Sequence, residues 1–240
     1  MGVTLTFARS SGTAGRTALA YGAGFQGWVT STQGPALATH SARVRRFAVA
    51  VAGQLGLAEE VVQEIGLAAE LHDVGKVAVP RALLDKAGPL SADEHRRVLE
   101  HTVIGERMLA PLLGDHPVVL AAVRSHHEWV DGSGYPDGLV GERIPLVARI
   151  VAVADAFDAM TSMRPYRAAL STRMAVREVV RCAGTQFDQR CMRALLAVVR
   201  NAASASGRGD GSRRSGGVAG VRPWWDSRWK NEGSIPRTAQ

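Results

Sequence analysis

The sequence predicts an all-α fold, and three observations carry this prediction. From residue 36 to residue 200, apolar residues recur every three or four positions, which is the period of an amphipathic helix. No segment keeps the alternation of apolar and polar residues that is typical of a strand, and no internal repeat is found. Hydrophobic residues make up 46% of the 240 residues, which is enough for one core. We therefore expect a single helical domain of about seven to nine helices.

The first two predicted helices precede residue 72, and their apolar positions follow the i, i+3, i+4, i+7 pattern. In the first helix these positions are Val44, Phe47, Ala48, Val51 and Leu55, and in the second they are Val61, Ile65, Ala68, Ala69 and Leu71. Each helix therefore offers one apolar stripe to a core.

The third predicted helix begins at a capping box. Ser91 is followed three residues later by Glu94, a spacing that satisfies two unpaired backbone N–H groups at a helix start. Apolar positions then continue at helical spacing as far as Leu109, across His101. We therefore expect one helix to run through His101.

Four more helices complete the predicted domain. One follows Pro117, and a longer apolar helix spans residues 144–161 with Pro145 near its first turn. Two others cover residues 172–183 and 188–200. A Gly- and Pro-rich loop at residues 131–141 is the main irregular element.

The positive charge lies mainly outside this domain. The chain has 29 Lys and Arg against 22 Asp and Glu, a net charge of +7. Residues 1–34 hold two bases and no acid, residues 201–240 hold seven bases and three acids, and the remainder is nearly neutral. The last 40 residues cannot bury enough apolar surface to fold. We therefore expect a partly ordered N-terminal segment (1–35), one domain (36–200) and a disordered basic Gly/Ser/Arg/Trp tail (201–240).

The sequence also bears on the cellular setting. No apolar run approaches the roughly 18 residues of a membrane span, and the first 35 residues have no signal-peptide core. We therefore expect a cytoplasmic protein with no membrane span. In that compartment Cys182 and Cys191 are expected to be reduced thiols.

Adjacent ligand-type residues occur where two predicted helices end. His72 and Asp73 follow one apolar helix, and His126 and His127 follow another. Side chains that are adjacent within a helix diverge by about 100°, but at a helix end both can turn toward one point. These pairs therefore suggest a metal site.

Two acids in an apolar helix strengthen this interpretation. Asp155 and Asp158 lie in an otherwise apolar stretch, where a buried unpaired carboxylate would cost several kcal/mol. A bound cation would remove that cost, although Asp155 as a hydrogen-bonded core acid is the alternative. Imidazoles with carboxylates and no nearby thiolate favour Fe, Mn, Co, Ni or Zn over Ca. For His95 and His116 we expect ordinary surface or capping roles.

The chain from residue 40 to residue 188 resembles the HD-GYP domain, a branch of the HD metal-dependent phosphohydrolases. The motifs that carry the resemblance are the first histidine segment at His40, the pair His72-Asp73 with Lys76, the segment around His101, the triplet His126-His127-Glu128, the run Gly134-Tyr135-Pro136, the helix with Asp155, the segment Arg164 to Arg167, and the end of the domain at Phe187-Asp188. This resemblance implies hydrolysis of cyclic di-GMP.

Carried over residue by residue, the resemblance implies two divalent metal ions. One would be held by His40, His72, Asp73 and Asp155, and the other by His101, His126 and His127, with Asp73 bridging. Fe or Mn is expected first, then Co, Ni, Zn or Mg. A hydroxide that bridges the two metals would be the nucleophile, with Asp73 and Lys76 as the catalytic residues.

A departure from the family pattern bears on the product. Some family members carry a glutamate four residues before the first histidine, which helps to hold a third metal, but here that residue is Ala36. We therefore expect a binuclear site and linear pGpG as the main product, with further cleavage to GMP linked to the three-metal form.

The resemblance also implies substrate contacts. The phosphates of cyclic di-GMP would be held by Lys76 and by Arg164 and Arg167, whose guanidinium groups suit bidentate binding. The run Gly134-Tyr135-Pro136 would place substrate or contact a partner diguanylate cyclase domain. A homodimer is compatible with the sequence.

Three alternatives remain open at this point. The domain could hydrolyse another cyclic dinucleotide, or it could be an inactive signalling module that binds a cyclase, although all seven ligand positions are filled. The basic tail with Trp224, Trp225 and Trp229 could bind nucleic acid. No specific nucleic-acid partner is expected, because the excess charge lies outside the domain.

Overall fold

The all-α prediction is confirmed by a computed structural model that describes residues 35–163 and 168–206. Within these residues there are nine α-helices, one of them only four residues long. They are α1 (Pro35–Gln54), α2 (Glu59–Leu71), α3 (Arg81–Leu84), α4 (Ala92–Leu99), α5 (His101–Leu113), α6 (Pro117–Ser125), α7 (Leu146–Thr161), α8 (Thr172–Arg181) and α9 (Gln189–Ser206). Short 3₁₀ helices occur at Val74–Ala78 and Gly141–Arg143. The described residues form no strand, only isolated bridges such as the one between Asp131 and Val140.

The core lies between helices from both halves of the domain. Helix α1 packs against α2, α7 and α9, and α6 packs against α2, α5 and α7. The stripes predicted from the sequence face this core, because Val44 and Val51 of α1 and Ile65 of α2 are fully buried. Helix α7 contributes buried residues on most of its surface, which explains its nearly continuous apolar sequence.

The helix expected to cross His101 is two helices. Helix α4 ends at Leu99, and α5 begins at His101. The capping box at Ser91 and Glu94 forms as predicted, but α4 buries none of its residues, whereas His101 is 1% exposed. The break at Glu100 thus separates an exposed helix from one that carries a buried histidine. The spacing of apolar residues continues across Glu100, so the sequence pattern gives no sign of this break.

Several helix boundaries also differ from the prediction. Helix α7 begins at Leu146, with Ile144 in an extended conformation and Pro145 in the capping position, because proline disfavours helical geometry in the residue before it. Helix α9 continues to Ser206 and so includes the first six residues of the predicted tail. The rest of the predicted tail and residues 1–34 lie outside the described residues.

Two further expectations from the sequence can be compared with the fold. In residues 35–163 and 168–206, no helix combines the length and the apolar character needed to cross a bilayer. Cys182 and Cys191 are buried free thiols, in agreement with the expected reduced state.

Candidate metal centre

All seven predicted metal ligands lie together at the centre of the domain. His40 comes from α1, His101 is the first residue of α5, and Asp155 comes from α7. His72 and Asp73 follow directly after α2, and His126 and His127 follow directly after α6. Both adjacent pairs therefore sit at helix ends, as the sequence predicts.

Asp73 lies at the centre of the cluster, between the imidazoles of four histidines. Its carboxylate is 3% exposed and faces four histidines. The distances are 3.3 Å from Oδ2 to His72 Nε2, 3.9 Å from Oδ2 to His40 Nε2, 3.4 Å from Oδ1 to His101 Nε2, and 3.9 Å from Oδ1 to His126 Nε2. Each carboxylate oxygen thus faces a different pair of imidazoles.

Two groups of potential ligand atoms result, and both include Asp73. One consists of His40, His72 and Asp73, and the other of Asp73, His101, His126 and His127. Within each group the candidate ligand atoms lie within 4.8 Å of one another. Asp155 adjoins the first group, because its Oδ1 is 3.1 Å from His40 Nε2 and 4.0 Å from His72 Nε2.

Three of the histidines are oriented by the same backbone contact. The Nδ1–H groups of His72, His101 and His126 donate to the carbonyl oxygens three residues earlier in the chain, at 2.8, 2.7 and 2.8 Å. A carbonyl oxygen can only accept, so in each neutral ring Nε2 carries the lone pair and faces the cluster. This arrangement fixes the tautomer that binds a metal.

Unsatisfied buried atoms show that a cation fits this cluster. His72 Nε2 and Asp73 Oδ1 are buried and have no hydrogen-bond partner. The Nε2 atoms of His101 and His126 are 3.5 Å apart, and both carry lone pairs. A divalent cation would satisfy all of these acceptors, and imidazole with carboxylate is a donor set for transition metals.

The electrostatics around the second group of ligands favour states that are ready to bind metal. Burial lowers the pKa of His101 to about 4 and the pKa of His127 to about 3, with neighbouring charges modifying the effect. Burial and the adjacent imidazoles also lower the pKa of His126. Burial opposes ionisation of Asp73, but His72 and Lys76 hold its pKa well below its usual range. At neutral pH these imidazoles are neutral and the carboxylate is charged, which are the states that coordinate metals.

His40 is held differently from the other histidines. Its Nδ1–H donates to Asp158 Oδ2 at 2.8 Å, and Asp158 also accepts two hydrogen bonds from Arg43, at 2.5 and 3.0 Å. Burial alone would lower the pKa of His40, but the hydrogen bonds to Asp155 and Asp158 raise it to about 9. Asp155 therefore faces the cluster, while Asp158 orients His40 from behind.

Lys76 is next to the cluster, in a short 3₁₀ helix after α2. Helix α2 stops at Leu71, so Lys76 lies in the 3₁₀ helix Val74–Ala78. Its Nζ is 2.5 Å from Asp73 Oδ2, and its side chain is 26% exposed. The ammonium group is therefore accessible beside the buried carboxylate.

The loop at residues 131–141, here called the GYP loop, closes over one side of the cluster. Tyr135 stacks on His127 with ring centroids 4.9 Å apart, and its N–H donates to the His127 carbonyl. The carboxylate of Glu128 accepts the backbone N–H groups of Asp137 and Leu139 at 2.6 and 2.9 Å. A Cβ atom at Gly134 would overlap the backbone of Glu128, so this position needs glycine.

An open cleft adjoins the cluster and the GYP loop. It is lined by His126, His127, Glu128, Trp129, Tyr135, Ala152, Asp155, Ala156, Ala159 and Gln186. The cleft therefore gives a ligand access to the second group of histidines.

Several residues of this region were not predicted from the sequence. Asp158 was predicted only as an acid in an apolar helix that a cation could neutralise, and no role was predicted for Arg43, Trp129 or Gln186. The predicted phosphate-binding residues Arg164 and Arg167 lie outside the described residues. The i, i+3 pair of acids in an apolar helix was the one signal that pointed to Asp158.

Comparisons with known proteins agree with this geometry. A family model described as "HD domain" matches residues 29–191. The chain is 50% identical over 156 residues to the cyclic di-GMP phosphodiesterase response regulator RpfG of Xanthomonas campestris, covering 64% of this chain and 41% of that protein. It is 37% identical over 169 residues to the 3'3'-cGAMP-specific phosphodiesterase 3 of Vibrio cholerae, covering 70% of this chain and 36% of that protein.

A solved structure shares the fold. An HDG"Y"P protein from Bdellovibrio bacteriovorus superposes with a TM-score of 0.57 at 19% identity, covering 78% of this chain and 64% of that chain. The chain spans about two fifths of the length of the curated relatives it matches. With the family model, the ordered motifs and the ligand cluster in agreement, the chain belongs to the HD domain family, in its HD-GYP branch.

Proposed function

We propose that this chain is a metal-dependent phosphodiesterase that hydrolyses cyclic di-GMP. The observation that carries the proposal is the pair of ligand groups that share Asp73 in a buried site beside an open cleft. The 50% identical relative named as a cyclic di-GMP phosphodiesterase supports the choice of substrate. A cytoplasmic location is proposed with it, since cyclic di-GMP is an intracellular messenger.

The proposed site holds two divalent metals. His40, His72 and Asp155 would hold one, and His101, His126 and His127 the other, with Asp73 contributing to both. Fe or Mn is proposed first, because imidazole-carboxylate sites suit these ions, and Co, Ni, Zn or Mg also fits. When bound, the metals supply Lewis-acid activation of water and neutralise charge on the phosphodiester.

The residues around the metals position the substrate. The Lys76 ammonium, anchored by Asp73, would contact a phosphate oxygen, and Arg164 and Arg167 are proposed to hold the second phosphate. The GYP loop with Gly134, Tyr135 and Pro136 would form one wall of the site.

The proposed reaction opens the dinucleotide ring. A water oxygen bonds to phosphorus as the water loses a proton, the bond from phosphorus to the 3' oxygen breaks, and the released 3' oxygen takes a proton to become a hydroxyl. Opening one of the two linkages gives linear pGpG. Ala36 in place of a carboxylate supports a two-metal site that stops at this product.

The test is hydrolysis of cyclic di-GMP by the purified chain with Mn²⁺ or, without oxygen, Fe²⁺, followed by chromatography. We expect pGpG, about two metals per chain by elemental analysis, and a loss of at least about 100-fold in Asp73→Ala. The matched control is Asp93→Ala, which removes an exposed carboxylate from α4. Absence of turnover with both metals, or turnover by Asp73→Ala equal to that of the control, would contradict the proposal.

A second substrate is favoured by one observation. The relative named as 3'3'-cGAMP-specific is 37% identical over the same domain, so a cyclic dinucleotide with one adenine is the alternative substrate. Competition between cyclic di-GMP and 3'3'-cGAMP in a single reaction decides between them through the ratio of kcat/KM.

The outer surface of the GYP loop is the proposed contact for a partner. Tyr135 is turned onto His127, whereas Ser133, Asp137 and Val140 are exposed. We propose a diguanylate cyclase domain as this partner and a homodimer as the assembly. Light scattering of the chain, alone and with a cyclase domain, tests both proposals.

A further inference from the structure

The cleft beside the metal centre is also lined by uncharged residues. Next to the ligand His127 it is lined by Trp129, Gln186 and a row of three alanines on α7. None of these residues is a candidate metal ligand. This part of the cleft therefore has a different role from the cluster.

The alanine row makes one wall smooth and apolar. Ala152, Ala156 and Ala159 follow the i, i+4, i+7 spacing, so they share one face of α7. Side chains of a single carbon leave room for a ligand in front of this face. The wall also includes Asp155, which faces the ligand cluster. A flat group bound against the alanines would therefore lie directly beside the metals.

Gln186 projects from a well-anchored turn between α8 and α9. Its backbone N–H donates to the Cys182 carbonyl at 3.0 Å, and the next residue, Phe187, is 1% exposed. The Thr185 carbonyl accepts the N–H of Asp131 at 3.0 Å, which ties this turn to the GYP loop. Among the residues that the structure describes, the Gln186 side-chain amide has no hydrogen-bond partner, so it is available to a ligand.

We propose that Trp129 and Gln186 form the base-binding part of the site and that Gln186 sets the preference between purines. This inference rests on the proposed function. A purine is flat, so it can stack on the Trp129 ring and lie against the alanine wall. The Gln186 amide has both a donor and an acceptor, and it can pair with the Watson–Crick edge of guanine or of adenine. The named substrates of the two relatives differ in a single base, so discrimination between purines occurs among proteins similar to this chain.

Removal of the base contacts should raise KM for a cyclic dinucleotide more than KM for a phosphodiester without a base. For Gln186→Met and Trp129→Ala, we expect KM for cyclic di-GMP to rise about 10-fold or more, and to rise far more than KM for bis(p-nitrophenyl) phosphate, which has no purine. The matched control is Gln189→Met, which makes the same change at an exposed position of α9. Equal losses on both substrates, or an unchanged KM for cyclic di-GMP, would overturn the inference.

A charge change at Gln186 tests base preference directly. In Gln186→Glu the carboxylate only accepts hydrogen bonds, so it suits the N1–H and N2–H groups of guanine and repels the N1 acceptor of adenine. With cyclic di-AMP as a competitive inhibitor, we expect the ratio of its Ki to the KM for cyclic di-GMP to rise about 10-fold or more. An unchanged ratio, or no inhibition of the unmodified chain by cyclic di-AMP, would contradict the role of Gln186.

The two proposals fail in different ways. If the chain hydrolyses bis(p-nitrophenyl) phosphate but neither cyclic dinucleotide, the proposed function is wrong. If it hydrolyses cyclic di-GMP and the Gln186 and Trp129 variants behave like Gln189→Met, only the base-binding inference is wrong.

Discussion

At the scale of single residues, the metal centre depends on a glycine as well as on its ligands. Gly75 follows the pair His72-Asp73 closely, and the backbone at this point lies directly against α5. A Cβ atom at Gly75 would overlap the carbonyl oxygen of His101 and approach the backbone of Gly105. The close approach brings the carboxylate after α2 next to the histidine that begins α5.

We expect Gly75→Ala to displace His101 and weaken the second group of ligands. The overlap involves backbone on both sides, so α5 must shift, and overpacking of this kind costs about 1–3 kcal/mol of stability. Elemental analysis should find less metal per chain, and thermal unfolding should show a lower Tm. The control is Gly53→Ala in α1, where a Cβ meets no atom within 4 Å and helix propensity favours alanine. Full metal content in Gly75→Ala would show that α5 does not need this approach.

The ligand-type residues of the cluster were largely predictable from the sequence, but the side chains that contact them were not. The ligand types and the position of the two adjacent pairs at helix ends follow from the sequence, and all seven residues meet in the cluster. Arg43 and Asp158 are 115 residues apart, and their contact depends on how α1 packs on α7. No local pattern encodes that packing. Gln186 was equally hidden, because a polar residue in a turn is ordinary until the cleft that it lines is known.

At the scale of elements, the GYP loop is held by ion pairs as well as by Glu128. Arg124, in the last turn of α6, donates to both carboxylate oxygens of Asp137 at 2.7 and 2.8 Å and to Glu106 of α5 at 2.7 Å. The hydrogen bond to Asp137 is the main reason that the pKa of Arg124 is raised. One guanidinium group thus joins two helices to the loop that carries Tyr135.

We expect Arg124→Ala to loosen the loop rather than the fold. The three side chains are about one third exposed, so the ion pairs contribute no more than about 1 kcal/mol to stability. If the ion pairs hold the loop in its substrate-binding position, their loss should raise KM for cyclic di-GMP by up to about fivefold, with little change in kcat. The effect should shrink at high salt, because salt already weakens exposed ion pairs.

The matched control for the loop is Arg107→Ala, which removes the same charge from an exposed position of α5. Steady-state kinetics at low and high salt, with Tm measured in parallel, separate the two variants. A rise in KM for both variants would indicate a general charge effect, and a large fall in Tm for Arg124→Ala would indicate a structural role.

Element boundaries show where sequence patterns stop being informative. The apolar stripes of α1 and α2 were predicted correctly, because burial imposes the helical period on the sequence. The break at Glu100 was missed, since the direction of a chain can change within one residue without any change in the spacing of apolar positions. The start of α7 was misplaced by two residues at Pro145, where the restriction on the residue before proline prevails over the apolar run.

At the scale of the whole molecule, the metal centre depends on a helix that contributes no ligand. Helix α9 packs on α1 and α7, and its residues Cys191 and Leu195 are fully buried. Helix α1 carries His40, and α7 carries both Asp155 and Asp158. The position of the first group of ligands therefore depends on α9, whereas the residues after it lie beyond the last described helix.

We expect two truncations of the chain to separate the contribution of α9 from that of the residues after it. A chain ending at Ser206 keeps α9 and every described site residue, so its kcat/KM for cyclic di-GMP and its metal content should match those of the full chain. A chain ending at Asp188 loses α9 and exposes apolar surface of α1, and burial of one leucine such as Leu195 is already worth about 2–5 kcal/mol. This shorter chain should unfold at a much lower temperature and lose metal. Reduced activity in the chain ending at Ser206 would assign a function to the basic, Trp-bearing tail.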